Sequence, residues 1–289
     1  MDRELTDSKG QEKHVTVILP DKSFLKEDLR ELWQYRELIR MFVKRDFKTM
    51  YAQTVLGPAW FILTTLFSSS VMTLVFGQIA DIETDGAPQF LFYMAGNILW
   101  SNFSGCLTGT AGTFTANARL MGKVYFPRLC VPISTVLSKQ IRFGIQAALF
   151  FILYLWSVWE GSGIHPGWTA LLTPFLILEI MALAMGCGII VASLTTKYRD
   201  LAVLINFGLQ IWMYITPVVY PLSQIPEKWR GIMMLNPMAP VVESFRRIWF
   251  GTGDIPGGYL AVSACVTLVI LIIGVALFRR AQRSFMDTI

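Results

Sequence analysis

The side chains best suited to chemistry in this sequence form a row of cations near its N-terminus. The row has a basic residue at every fourth position and a fifth beside it: Arg36, Arg40, Lys44, Lys48 and Arg45. This spacing puts the charges on one side of a helix. Apolar residues recur at helical spacing opposite them, so segment 29–54 is predicted to be an amphipathic helix lying in a membrane interface. Its cations can hold phosphate groups there. A solvated face on a soluble helix is the alternative.

Groups that would support enzymatic catalysis are sparse. The two histidines, His14 and His165, are far apart in the sequence, and the spacing of acids, bases and nucleophiles indicates no catalytic pair or metal cluster. The pair Gly122-Lys123 lacks the flanking residues of a phosphate-binding loop. Glu179 is the one acid inside an apolar stretch, and we interpret it as a hydrogen-bonded residue facing other helices. We therefore expect no catalytic residue, cofactor site or metal site in this chain.

Long uncharged stretches dominate the rest of the chain. Hydrophobic residues make up 54% of the sequence and charged residues 16%, whereas a soluble domain carries about a quarter charged residues. A bilayer core of about 30 Å needs about 20 residues of helix, because backbone amides in hydrocarbon must be satisfied within the segment. We therefore predict an all-α polytopic membrane protein with six transmembrane helices, at about residues 57–79, 89–112, 132–158, 168–194, 202–220 and 258–278.

The distribution of Lys and Arg predicts the orientation of these spans. Of the 25 basic residues, four lie on one side of the arrangement: Lys228, Arg230, Arg246 and Arg247. The other 21 lie on the opposite side, so the positive-inside rule places both termini in the cytoplasm. Because the basic residues flank apolar spans, their excess indicates orientation and contact with anionic lipid, and no binding of nucleic acid.

The segment between the fifth and sixth predicted spans is rich in proline. It contains two amphipathic pieces, near 226–235 and 239–250, and both are too short to cross a bilayer. We predict that they form short periplasmic re-entrant helices. A flat periplasmic cap and an ordinary loop lying on the headgroups are the alternatives.

Small residues recur at every fourth position in two of the predicted spans: Ser101, Gly105 and Gly109 in the second, and Ala184, Gly188 and Ala192 in the fourth. Small residues at this spacing let helices approach closely. The pattern therefore predicts a tightly packed bundle and by itself points to no function.

Six short segments together carry a family resemblance: LWQYRELIRMFVKRDFKTMYAQTVLG at 32–57, VYFPR at 124–128, KYRDL at 197–201, TPVVYP at 216–221, NPMAPVVESFR at 236–246 and FRRAQRSFMDTI at 278–289. In this order they resemble the type-2 ABC transporter permeases of the polysaccharide-export group, which export O-antigen, capsule or teichoic acid. The resemblance extends from about residue 29 to the end. One departure is Thr64-Thr65, where a Gln-Pro pair is common in the group.

The resemblance implies a transmembrane permease domain over residues 29–289, with cytoplasmic tails at 1–28 and 279–289. It implies a half-channel in the bacterial cytoplasmic (inner) membrane, paired with a second copy of itself and with two copies of a separate cytoplasmic ATPase. ATP and Mg would bind to that partner ATPase, and this chain would hold no cofactor. The substrate would be an undecaprenyl-diphosphate-linked glycan, moved outward across the membrane and its lipids.

The resemblance also implies roles for particular segments. Residues 29–54 would be a gate helix at the cytoplasmic entrance, where Arg45 and Lys48 are predicted to bind the lipid diphosphate. Binding of ordinary anionic lipid is the rival role for these two cations. Residues 116–126 would be a coupling helix on the ATPase, and the predicted contact residues there and just beyond are Arg119, Lys123, Tyr125 and Arg128.

Aromatic residues inside two spans suggest a path for the substrate. Trp60 and Phe67 in span one, with Trp212 and Tyr220 in span five, are predicted to line the channel. A flat ring stacks on a sugar face and tolerates sliding, which suits a long glycan. Packing against lipid and neighbouring helices is the alternative for these rings.

Two other functions stay open from the sequence. One is an exporter of the same architecture for a small amphiphile, such as a drug or a lipid. The other is a membrane-embedded transferase that acts on a lipid-linked sugar, against which the missing acid and base pairs count.

Overall fold

The computed structural model describes residues 31–52, 56–121, 126–164, 166–195, 200–251 and 257–286. Within these ranges the regular elements are helical, which confirms the all-α prediction. Helices of eight or more residues, numbered in chain order, are α1 (Arg36–Tyr51), α2 (Ala59–Met72), α3 (Gln89–Ala111), α4 (Thr113–Met121), α5 (Cys130–Trp159), α6 (Thr173–Thr195), α7 (Leu201–Ile215), α8 (Glu227–Met234), α9 (Met238–Phe250) and α10 (Gly257–Met286). Helix α2 continues as a π-helix over Thr73–Ile79.

Four of these segments are long and apolar enough to cross a membrane: Ala59–Ile79, Cys130–Trp159, Thr169–Thr195 and Gly258–Ala281. They correspond to predicted spans one, three, four and six. Helix α7 is apolar but shorter, over Val203–Ile215. The two amphipathic pieces predicted near 226–235 and 239–250 are helices α8 and α9. Segment 29–54 contains helix α1, and its two ends lie outside the described residues.

Helix α3 lies at the centre of the bundle. It packs most extensively against α6, then against α5 and α2. The side-chain amides of α3 form hydrogen bonds with these neighbouring helices, which surround it. Asn97 Nδ2 donates to Ser68 Oγ at 2.6 Å. Asn102 exchanges amide hydrogen bonds with Gln140 on α5, the shorter at 3.1 Å. The side chains of Asn97 and Asn102 are therefore satisfied by neighbouring helices, whereas the Tyr93 hydroxyl and Thr110 Oγ1 are buried without a hydrogen-bond partner among the described residues.

Glycine allows the closest helix contacts in the bundle. A Cβ added to Gly188 on α6 would lie 2.6 Å from Thr110 Cβ on α3. A Cβ added to Gly274 on α10 would lie 2.7 Å from the carbonyl oxygen of Gly186 on α6. Both distances are too short for a side chain, so α6 holds α3 on one side and α10 on the other through backbone contact. This agrees with the close packing predicted from the small residues of span four.

A second apolar cluster joins α1 to the bundle. Its buried core includes Phe42 of α1, Phe126 before α5, Ile189 of α6 and Phe278 of α10. Phe42 and Phe126 meet edge to face, with ring centroids 5.9 Å apart. The amphipathic helix therefore docks by its apolar side, while most of its basic residues stay exposed.

The non-helical segment 216–221 after α7 is held by Arg246 of α9. This guanidinium is 1% exposed. Its Nη1 donates to the carbonyl of Pro217 at 2.7 Å, and its Nη2 donates to that of Val218 at 2.6 Å. Its Cζ lies 3.6 Å from the centroid of the Phe92 ring. Pro217 and Pro221 prevent a regular helix in this segment, and the arginine supplies hydrogen bonds that helical geometry would otherwise give.

Electrostatics around Arg246 agree with a charged form. Burial lowers the pKa of Arg246 to about 10, with Glu243 opposing that shift. Glu243 Oε2 lies 3.8 Å from Arg246 Nη1. Burial raises the pKa of Glu243, and the nearby arginine works against that rise. The guanidinium therefore stays protonated at neutral pH and keeps all its donors.

The acid inside span four faces other helices, as the sequence suggested. Glu179 is 5% exposed and hydrogen-bonds with Ser263 of α10. Ser263 Oγ also lies 2.7 Å from the carbonyl oxygen of Pro237, which precedes α9. Since a serine hydroxyl carries one hydrogen, it can donate to only one of these two partners. The three residues form a short polar chain from α6 through α10 to the start of α9.

We expect Arg246→Lys to lower the stability of the protein markedly. A lysine keeps the charge but cannot donate to several carbonyls in the forked geometry of a guanidinium. Losing two charged hydrogen bonds in a buried site costs about 3 kcal/mol. The midpoint of thermal unfolding in detergent should fall for Arg246→Lys and stay near the parental value for Arg247→Lys, whose side chain is exposed. Equal midpoints for the two variants would contradict the role of Arg246.

Candidate functional site: a cationic cleft between α3 and α5

The basic residues of α1 are exposed but differ in their partners. Arg45 Nη2 donates to Asp46 Oδ1 at 2.8 Å, and the Arg45 Cζ lies 4.9 Å from the centroid of the Phe42 ring. Arg40 Nη1 donates to Glu37 Oε1 at 2.6 Å. Lys48 lies one turn beyond Arg45, near the end of the helix. Of the two predicted diphosphate ligands, Arg45 thus already has a carboxylate partner, whereas Lys48 extends from an exposed position.

Asp46 connects α1 to α5. Its Oδ2 lies 3.3 Å from Ser138 Oγ on α5. Helices α1 and α5 pack along each other around this contact. The residue after Ser138 is Lys139, the first of three polar residues on one face of α5, followed by Arg142 and Gln146. The second half of the basic helix therefore packs on α5 immediately before Lys139 in the sequence.

A narrow crevice of about 10 Å³, which is space for about one water molecule, lies between α5 and α3. The α5 wall carries Lys139, Arg142 and Gln146 at helical spacing, so the three share one face. The remaining lining residues are Ser101, Asn102, Gly105 and Phe143. Two cations, two amides and a hydroxyl thus line this crevice, which we name the cationic cleft. Such a set of donors favours an anion, but the space in this structure accommodates about one water molecule.

Glycine determines where the cleft opens. A Cβ added to Gly109 would lie 2.8 Å from Thr135 Cγ2 and 3.2 Å from Lys139 Cε, so α3 and α5 touch there. One turn away, a Cβ added to Gly105 would meet nothing within 4 Å. The backbones therefore touch at Gly109, while beside Gly105 a small gap remains between side chains, and Asn102 and Gln140 hold α3 and α5 together beyond it. The small-residue pattern of span two produces a contact at one glycine and a space at the next.

Arg142 is the cation most deeply placed in the cleft. Its Nη2 lies 3.4 Å from Ser101 Oγ, and its Cζ lies 5.1 Å from the centroid of the Phe61 ring. Its Nε is buried and has no hydrogen-bond partner among the described residues. Across the described ranges, no carboxylate lies within 4.0 Å of the cationic nitrogens of Arg142 or Lys139.

Neutral amides around the cations are held in place by their own partners. Gln146 Nε2 donates to Thr65 Oγ1 of α2 at 2.7 Å. Thr65 belongs to the Thr64-Thr65 pair where the sequence departs from the Gln-Pro pair common in the polysaccharide-export group. The departure supplies the hydrogen-bond acceptor that holds Gln146. The side chains of Asn102 and Gln146 are therefore held in place by hydrogen bonds. Lys139 and Arg142 form no ion pair among the described residues.

The predicted coupling residues lie largely outside the described parts of the chain. Lys123 and Tyr125 are among the residues that the structure does not describe, and the side chain of Arg119 is likewise not described. Arg128 is 7% exposed and lies just before α5. The helix α4 covers the start of the predicted coupling segment.

The predicted channel residues lie in different environments. Trp60 and Phe67 on α2 are 56% and 75% exposed. Trp212 packs against Phe103 of α3 with ring centroids 5.0 Å apart, and its Nε1 donates to Asn236 Oδ1 at 3.0 Å. Tyr220 donates its hydroxyl hydrogen to the carbonyl of residue 214 at 2.8 Å. The two α2 rings are thus free of the core, whereas Trp212 is a packing residue as well.

The cationic cleft is not predicted from the sequence. Lys139 and Arg142 are among the 21 basic residues whose distribution predicts the orientation. Their spacing with Gln146 was a usable signal, since positions 139, 142 and 146 repeat with the helical period inside a predicted span. Ionisable groups within a span are candidate functional groups by default. The space beside Gly105 could not be predicted in the same way, because it depends on the distance between α3 and α5.

Comparisons with known proteins give a consistent assignment. The ABC-2 type transporter family matches residues 37–250. The O-antigen export system permease protein RfbA of Myxococcus xanthus is 29% identical over 263 residues, covering 90% of this chain and 98% of that protein. The polysialic acid transport protein KpsM of Escherichia coli is 25% identical over 249 residues, covering 84% and 93%. The inner membrane transport permease YadH of Escherichia coli strain K12 is 23% identical over 214 residues, covering 73% and 80%.

The two glycines of the cleft make a matched pair for mutation. We expect Gly109→Ala to lower thermal stability, because the added Cβ would lie 2.8 Å from Thr135 Cγ2 and must displace α5. Gly105→Ala should leave stability unchanged or slightly higher, since its Cβ meets nothing within 4 Å and alanine favours helix over glycine by about 1 kcal/mol. Thermal unfolding of both variants in detergent measures the difference. A larger loss for Gly105→Ala than for Gly109→Ala would contradict the described gap.

Proposed function

The chain belongs to the ABC-2 type transporter family, and on that basis we propose that it is the membrane subunit of a polysaccharide exporter. The observation that carries the proposal is the similarity to O-antigen export and polysialic acid transport proteins along 84–90% of the chain. The proposed substrate is a glycan linked to undecaprenyl diphosphate. It is moved from the cytoplasm to the outer side of the cytoplasmic membrane.

The energy for this transport comes from a separate chain in our proposal. Two copies of the permease pair with two copies of a cytoplasmic ABC ATPase, which binds ATP and Mg. Membership in the family supports such a partner. The segment 116–126, with Arg119, Lys123 and Tyr125, is the proposed contact with it. Arg128 is buried, so its proposed part is to hold the base of α5 behind that contact.

The proposed topology has six spans with both termini in the cytoplasm. Helices α3 and α7 are the second and fifth spans in addition to the four long apolar segments. With 23 residues and a rise of about 1.5 Å each, α3 is long enough to cross the hydrocarbon core. Helices α8 and α9 are the proposed re-entrant helices on the outer side. The distribution of basic residues supports this orientation.

The α1 helix is the proposed gate for the lipid-linked substrate. Its apolar side docks on the bundle, and its exposed cations face the level of the inner headgroups. Lys48 and Arg45 meet the incoming diphosphate first in this proposal. The glycan then passes along the exposed aromatic side chains of α2, Trp60 and Phe67. Trp212 and Tyr220 complete the proposed lining at the opposite wall.

Reconstitution tests the function directly. Proteoliposomes with the permease and its ATPase should move an undecaprenyl-diphosphate-linked glycan across the bilayer when ATP is added. Protection of the glycan from an added glycosidase reports the movement. Neither chain alone should do this, and a catalytically inactive ATPase variant serves as the control. Transport of a fluorescent phospholipid or drug in place of the glycan would identify a small-amphiphile exporter. Chemical conversion of the lipid-linked sugar by the permease alone would identify a transferase.

Labelling of single cysteines tests the topology. In a background without the four native cysteines, an impermeant thiol reagent added to intact cells should label positions 83 and 162. It should not label positions 115 and 200. All four positions are exposed in the structure, so labelling reports the side of the membrane. Labelling of position 200 from outside would refute the proposed orientation.

A further inference from the structure

We propose that Glu179 of α6 carries its proton and, as a neutral hydrogen-bond donor, positions Trp212 of α7 from inside the bundle. The connection runs through Ser263 of α10 and then through Asn236 and Pro237, the adjacent pair before α9. Trp212 belongs to the proposed lining of the glycan path, so its part in transport rests on the proposed function. Glu179 itself is buried and acts on that path only through these other residues.

The number of hydrogens at Ser263 determines the charge of Glu179. The serine hydroxyl hydrogen-bonds with Glu179 Oε1, and its oxygen lies 2.7 Å from the carbonyl oxygen of Pro237. A carbonyl oxygen only accepts hydrogen bonds, and a hydroxyl carries a single hydrogen. If the serine donates to Pro237, the hydrogen in its other contact must come from Glu179. Both contacts are therefore hydrogen bonds only when Glu179 is a carboxylic acid.

The surroundings of Glu179 also favour the neutral form. Among the described residues, no nitrogen of a basic side chain lies within 4.0 Å of its carboxyl group, and its Oε2 is buried without a hydrogen-bond partner. Helices α6 and α3 carry no other charged residue. The cations of α10 begin at Arg279, about 24 Å along the helix from Ser263. A buried charge without a partner costs far more than a neutral oxygen without one.

Asn236 and Pro237 join this polar chain to α7. Trp212 Nε1 donates to Asn236 Oδ1 at 3.0 Å, and Asn236 Nδ2 donates to Thr216 Oγ1 at 2.8 Å. The Asn236 side chain thus holds both the indole and the end of α7. The carbonyl of the next residue, Pro237, is the acceptor for Ser263. Because the two residues share a peptide bond, a shift of the Pro237 carbonyl also shifts the side chain that holds Trp212.

The proton on Glu179 controls the direction of the serine hydrogen. With a neutral acid, Ser263 directs its hydrogen at the carbonyl of Pro237. With a carboxylate, the hydrogen would turn to Glu179, because a charged acceptor forms the stronger hydrogen bond. The Pro237 carbonyl would then face the serine oxygen without a donor between them. The neutral acid therefore favours one position of Asn236, and with it one position of the Trp212 indole.

Infrared spectroscopy of the chain in nanodiscs tests the protonation of Glu179. A buried carboxylic acid gives a C=O stretching band that is distinct from the bands of carboxylates. The difference spectrum between the parent and Glu179→Gln should show the loss of such a band. Glu160→Gln, at an exposed position at the end of α5, is the control and should lose no band of this kind. If Glu179→Gln removes carboxylate bands instead, the acid is ionised and the proposal is wrong.

The indole N–H resonance of Trp212 tests the connection to α7. It is observed by NMR on the chain with isotope-labelled tryptophan, and Trp212→Phe identifies it. Ser263→Ala should move this resonance, because the variant removes the link between Glu179 and Pro237. Glu179→Gln should leave it near the parental position, since the glutamine amide also donates to the serine.

Thr267→Val is the matched control for Ser263→Ala. Thr267 lies one turn further along α10 and is buried, and its hydroxyl has no hydrogen-bond partner among the described residues. Valine has nearly the same shape, so the Trp212 resonance should stay in place. If Ser263→Ala fails to fold, Ser263→Cys replaces it, because a thiol fits the same space but donates weakly.

Glycan export in proteoliposomes adds a functional measurement. Ser263→Ala and Trp212→Phe should each slow export about fivefold, as for the loss of one buried hydrogen bond. The double variant should be no slower than the slower single variant, because both act through the same chain of contacts. Independent sites would instead give multiplied effects.

Two further results would overturn the proposed connection. One is a Trp212 resonance that stays in place in Ser263→Ala or Ser263→Cys, and the other is multiplied effects on export in the double variant. Failure of the proposed function gives a different pattern. In that case the parental permease and its ATPase move no glycan, while the infrared band of Glu179 and the Trp212 resonance still respond as described.

Discussion

The guanidinium of Arg246 satisfies a stretch of backbone that no helix could satisfy. Two prolines interrupt the chain after α7, and the freed carbonyls are buried against α3. Gly96 of α3 leaves the space for this, since a Cβ there would lie 2.6 Å from the carbonyl oxygen of Val218 and 2.9 Å from Arg246 Nη2. Arg246 of α9 thus links the segment that follows α7 to the surface of α3 at Phe92 and Gly96.

Two arginines inside the molecule illustrate opposite uses of the same side chain. Arg246 has carbonyls, a carboxylate and an aromatic ring around it, and it is nearly fully buried. Arg142 has a ring and one distant hydroxyl, and it borders an opening. The Nε of each arginine is buried without a hydrogen-bond partner among the described residues, so the two differ in the groups around their terminal nitrogens: Arg246 has carbonyls and a carboxylate there, and Arg142 has one hydroxyl. Burial alone would therefore not distinguish the structural arginine from the candidate binding residue.

Much of the architecture was accessible from sequence because it follows from one-dimensional patterns. Intervals without charge predicted the long apolar helices, and prolines marked α8 and α9 as short pieces. The amphipathic spacing of α1 predicted a docked apolar side, which Phe42 provides. The central position of α3, the partners of Arg246 and the opening beside Gly105 were not accessible. Each depends on distances between residues far apart in the chain, and no local pattern encodes those distances.

The hydrogen bonds of α3 have a consequence for biogenesis. Asn97 bonds to Ser68 on the preceding helix, but Asn102 bonds to Gln140, which is synthesised 38 residues later. In the proposed topology, α3 in lipid before α5 is made would leave the Asn102 amide without this partner, at a cost of about 1–2 kcal/mol. The bond to Gln140 then favours α3 and α5 settling in the bilayer together.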